Sequence, residues 1–139
     1  LDEARRQSVL QREQMVGELA QLLDDLITAE QDYSALRVEA VAAYRDAISG
    51  YQTVSELSGP DKNGQYARNL MKLVKAELAA LWNSDAQHYR TTSAALATLD
   101  NIPALAGTVT QMRQNADDLA IQAKASAADL SEESDSTDY

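Results

Sequence analysis

Apolar side chains recur along the first third of the chain at intervals built from three and four. Val9, Val16, Leu19, Leu23, Leu26, Tyr33, Ala40, Tyr44, Ala47 and Tyr51 carry the pattern. Such spacing draws one stripe down an α-helix, close to a heptad repeat. Glu30 and Arg37 fall on the same stripe. There they either find partners in a polar layer or mark a shift of the seam. No Pro occurs before Pro60, and the pattern predicts a helix over residues 2–57. Periodicity sustained beyond about 25 residues belongs to coiled coils and long bundles. Gly17 and Thr28 are the places where a break would fall.

Ser58-Gly59-Pro60-Asp61-Lys62-Asn63-Gly64 interrupts the pattern. Gly closes a helix in the left-handed conformation, Pro prevents continuation, and Asn-Gly turns the chain. A second stripe follows in Ala67, Leu70, Val74, Leu78, Leu81, His88, Thr92, Ala95 and Leu99, predicting a helix over 65–99. Asp100-Asn101-Ile102-Pro103 reads as a short connection, with a capping residue and a Pro suited to a first helical turn. Leu105, Val109, Met112, Ala116, Leu119, Ala123, Ser126 and Leu130 then alternate in steps of four and three. They predict a third helix over 103–130. Residues 131–139 have no apolar residue before Tyr139 and read as a disordered acidic tail. The expected fold is all-α, an elongated antiparallel three-helix bundle with coiled-coil character, spanning 1–130.

Composition narrows what such a bundle can do. The chain has 139 residues, no Cys, no Phe, one Trp and one His. Without Cys there is no disulfide, thiolate metal site or thiol nucleophile. With few aromatic residues, the apolar share rests on aliphatic side chains and above all on Ala, which suits closely packed helices. The net charge of −10 argues against nucleic acid, whose phosphates call for Lys and Arg. Five of the 22 acidic residues lie in 129–139, which holds no Lys or Arg. Half of the net charge therefore belongs to the last eleven residues. No apolar run approaches the roughly 20 residues of a membrane span. The chain opens on Leu1, as a processed exported protein or an excised domain would, and the expectation leans to an extracytoplasmic setting.

Candidate chemistry is sparse. His88 follows Asp85 by three residues, so both can share a helix face. Di-metal bundles need paired Glu residues and two Glu-x-x-His motifs, and neither is present. His88 with Met15, Met71 or Met112 is an equally thin haem set, lacking Cys-x-x-Cys-His. No Ser-His-Asp set, phosphate-cradling Gly loop or nucleotide fingerprint occurs. No catalytic, cofactor-binding or metal-ligating residues are therefore assigned, and no cofactor is expected. Tyr33, Tyr44 and Tyr51 return to nearly one helix face, as do Trp82 and Tyr89. These five are the candidate partner or ligand surface, because Tyr and Trp combine apolar area with a polar tip. Core packing is the simpler role for each.

Two stretches resemble known families. Ala29-Glu30-Gln31, Leu36-Arg37, Ala43 and Gly59 resemble the last helix of outer-membrane efflux factors of the TolC type. Tyr33, Val41, Ala43-Tyr44, Asp46 and the turn at 58–64 resemble the long helix and turn of type III secretion needle-tip proteins. The β-barrel of the first and the mixed α/β part of the second are absent. One Ala-rich helix matching two families shows generic helix composition, and no functional residue is carried over. The expected function is non-enzymatic: a structural or protein–protein interaction module acting on a protein partner or on itself through a helical face. The alternative is an extracytoplasmic helical-bundle sensor, with the tyrosines and Trp82 lining a ligand pocket.

Overall fold

The computed structural model describes residues 2–136, with side chains described through Glu132. It contains three helices, α1 (Asp2–Ser58), α2 (Lys62–Ala97) and α3 (Ala106–Ser136), and no strand among the described residues. The fold is an all-α three-helix bundle. Helix α1 is continuous, unbroken at Gly17 and Thr28. Gly17 costs about 1 kcal/mol in a helix interior, too little to break a helix of this length, and the Thr28 hydroxyl returns its hydrogen bond to the Asp24 carbonyl at 3.3 Å.

The first turn follows the expected chemistry. Gly59 takes a φ of 60°, and its N–H donates to the Ser55 carbonyl at 3.1 Å, closing α1 in the left-handed conformation that Gly tolerates best. The Asp61 carboxylate accepts from the Gly64 N–H at 2.9 Å and caps α2. Arg68 ties the corner by donating to the Gly59 carbonyl and the Ser55 hydroxyl at 3.1 and 3.2 Å. A Cβ at position 64 would collide with the Gly59 carbonyl oxygen, which explains the Gly there.

The second connection departs from expectation. Helix α2 ends at Ala97, and α3 begins at Ala106 rather than at Pro103. Between them the chain turns through successive tight bonds, Leu99 to Leu96, Ile102 to Leu99 and Leu105 to Ile102. This lets Leu99, Ile102 and Leu105 all fold onto the core, an apolar gain that a sharper corner capped at Asp100 or Asn101 would lose. The other correction is at the end of the chain. Residues 131–136, expected in the tail, continue α3, and the Ser131 hydroxyl bonds the Ala127 carbonyl one turn back at 3.0 Å. Residues 137–139 lie outside the described residues.

The cross-helix pairs Ser55–Arg68 and Tyr33–Asp85 run in opposite directions along α1 and α2. Leu96 packing with Val109, and Tyr89 with Ala116 and Ala120, give the same antiparallel sense for α2 and α3. Helix α2 is the centre. It packs on both neighbours, whereas no Cα of α1 comes within 8 Å of one in α3 among the described residues. The buried face of α2 is accordingly offset from its expected stripe: Ala67 and Leu78 are buried, Ala95 is exposed, and Met71, Ala86, Tyr89 and Leu96 are buried beside it. Against it α3 sets Ala116, Ala120, Ala123 and Ala127, all buried. Side chains ending at Cβ let two backbones close together, and they lose no rotamer freedom on burial. Helix α1 buries only Leu23. That residue joins Leu96, Leu105 and Val109 where all three helices meet.

At about 1.5 Å per residue α1 is about 85 Å long, against about 54 Å for α2 and 46 Å for α3. Residues 2–15 are exposed throughout, Val9 included, so α1 overhangs the bundle.

Candidate functional site

Glu30 and Arg37 sit on the inward stripe of α1 one turn before and one turn after Tyr33, and they form the polar layer their positions suggested. The partners come from α2. His88 Nε2 lies 3.0 and 3.1 Å from the two oxygens of Glu30. The Arg37 Nε donates to Asp85 Oδ1 at 2.8 Å, and the Tyr33 hydroxyl donates to the same oxygen at 2.7 Å. Asp85 is only 2% exposed, so its charge is matched by two donors in place of water.

The rings close the layer. Tyr33 stacks on His88 with centroids 4.0 Å apart, and Tyr89 meets Tyr33 edge-on at 5.9 Å and His88 at 5.2 Å. The Arg37 guanidinium lies 4.9 Å from the Tyr33 centroid, a cation–π distance. Burial pushes the Tyr33 phenol above its ordinary value, and its hydrogen bond to Asp85 adds to the rise. Burial does the same for Tyr89, reinforced by the negative charges of Asp85 and Glu30. Both phenols are therefore held protonated. Each carboxylate in the layer has a polar partner on the facing helix, so its chemistry is that of a register lock, in which a one-turn slip would leave Asp85 and Arg37 unpaired.

The five candidate residues separate. Tyr33 and Tyr89 meet in this layer. Tyr89 is 6% exposed and faces the bundle interior rather than a free surface. Trp82 is half-buried and lines two clefts in the seam that α1 and α3 leave open over α2. One, of about 260 Å³, joins it to Tyr89, Val41 and Leu119. Tyr44 and Tyr51 are half-buried on the inward stripe of α1 and line none of these clefts. No group of three or more Asp, Glu or His side chains that could hold a metal occurs among the described residues.

The sequence reading missed a second row on α1. Every seventh residue from 15 to 57 is apolar or small: Met15, Leu22, Ala29, Leu36, Ala43, Gly50 and Leu57. All are exposed, and Met15, Leu22, Leu36 and Leu57 are 61% to 83% exposed. Three residues on from the first five, Glu18, Asp25, Asp32, Glu39 and Asp46 form an acidic row, also exposed. No Lys or Arg stands three or four residues from any of them, and none forms an ion pair among the described residues. Beside the apolar row lies a groove of about 450 Å³ between α1 and α2, lined by Leu19, Leu22, Leu26, Ala95 and Leu99 and by no residue of α3. The inward stripe hid this row, because a search for the strongest periodicity stops at the first one found.

No helix is long and apolar enough to cross a membrane among the described residues. Comparison of the chain with protein-family models, with curated proteins and with solved structures finds no match.

Proposed function

We propose that the chain is a non-enzymatic interaction module that docks a basic amphipathic helix of another protein along the outer face of α1, in coiled-coil fashion. The exposed apolar row from Met15 to Leu57 of α1 carries this reading. Exposed apolar surface of such extent marks interaction sites, and heptad spacing is the spacing a partner helix reads. The acidic row beside it selects the partner's charge. A second copy of this chain would bring carboxylates against carboxylates, whereas Lys or Arg flanking the partner's apolar seam would neutralise them.

The test uses two labelled helical peptides with Leu at the seam positions, one flanked by Lys and one by Glu. The Lys peptide binds in anisotropy titrations, and its affinity falls as salt rises. Leu22→Asp with Leu36→Asp abolishes binding while leaving the melting temperature nearly unchanged, because both side chains are already exposed. Equal binding of the two peptides overturns the reading, as does a salt-resistant dimer of the chain alone in sedimentation.

A second reading, a small-ligand bundle, is supported by Trp82 and Tyr89 sharing a cleft in the α1–α3 seam.

A further inference from the structure

Farther along the same seam a larger cleft, of about 460 Å³, is lined by Arg45 and Ile48 of α1, Lys75, Leu78 and Trp82 of α2, and Asp129 of α3 among others. Lys75 is 8% exposed. Among the described residues neither it nor Arg45 has an ion pair or side-chain hydrogen bond, so no described carboxylate lies within 4.0 Å of either cation. The Lys75 stem is packed away while its ammonium, which is not a buried unpaired atom, opens into the cleft as a cation without a counter-charge among the described residues. This contrasts with Asp85 on the same helix, to which α1 supplies two donors.

We propose that this cleft binds an amphipathic monocarboxylate. Its head would lie between Lys75 and Arg45, and its apolar body against Ile48, Leu78 and Trp82. Among the described residues the wall charges are two cations and the carboxylate of Asp129, leaving one net positive charge. That balance matches a monoanion and disfavours a dianion. Ser49, Gln52 and Ser126 line the same cleft and offer further hydrogen bonds to the head. A mixed lining, apolar with a few placed polar groups, is the usual character of a small-molecule site. The site is independent of the outer face of α1.

Trp82, the only Trp in the chain, is a built-in reporter. Titration with octanoate gives a saturable change in its fluorescence, and octanol, the same body without the charge, binds about tenfold or more weakly. Lys75→Met removes the preference, and Lys75→Arg keeps it. Should Lys75→Met fail to fold, the exposed Arg45→Gln weakens octanoate several-fold while leaving octanol unchanged. Leu22→Asp with Leu36→Asp leaves octanoate binding intact, so loss of peptide docking and loss of carboxylate binding read separately. Equal affinities for octanoate and octanol, or no saturable change with either, overturn the proposal.

Discussion

The two interfaces of α2 are built on different principles. Toward α3 it meets Ala116, Ala120, Ala123 and Ala127, and the contact is dry and close. Toward α1 it meets a stripe of half-buried residues, joined at one end by Leu23 and at mid-length by charged and aromatic groups. Apolar burial is non-directional and scales with area, so the Ala face gives strength without much choice of register. The polar layer contributes less net stability for its size, because its groups must first be stripped of water. What it supplies is selectivity for one alignment of α1. One helix is glued and the other is keyed.

That contrast can be broken most forcefully at its centre. Leu78 is 2% exposed on α2, and Leu78→Ala is expected to cost about 2–5 kcal/mol by lost transfer energy and cavity formation. Urea unfolding should show the loss as a single transition involving all three helices. Asp85→Ala should cost less, about 1–3 kcal/mol, since Arg37 is partly open to solvent and recovers some hydration. Its signature is regional: hydrogen exchange speeds up in α1 while α2 and α3 stay protected. Uniform loss of protection would show that the two interfaces are not separable.

The smallest effect is expected at high pH. Tyr33 and Tyr89 are raised above the ordinary tyrosine value near 10. The folded state then holds these protons more tightly than the unfolded state. Their contribution to stability is complete below about 10 and is lost as pH climbs through the folded values. Phenolate absorbance should rise late for these two, together with loosening of α1, and Tyr33→Phe should remove part of the late step.

The three helices, the turn at 58–64 and the inward position of Glu30 and Arg37 were legible in the sequence, because each rests on local spacing or local turn chemistry. The partners of Glu30 and Arg37 were not. Asp85 and His88 stood out as one face of α2, but which helix that face meets depends on alignment across a long antiparallel pair. The central place of α2 was also hidden. Its stripe looks like the others until Met71, Ala86, Tyr89 and Leu96 are seen buried beside it. Lys75 carried no signal at all, since a lone Lys in a helix reads as surface.

Because only α2 brings its backbone close to both neighbours, with α1 reaching α3 only through side chains such as Leu23 and Tyr33, each hairpin has an interface of its own. Assembly is not committed to one sequence of events: α2 can zip onto α3 through local contacts of low sequence separation, or onto α1 from the Gly59 corner. Topologies of this kind fold quickly. During synthesis the chain meets the second option first. Helix α1 then stands with two apolar rows in water until α2 follows, and only one of those rows is ever covered by its own chain.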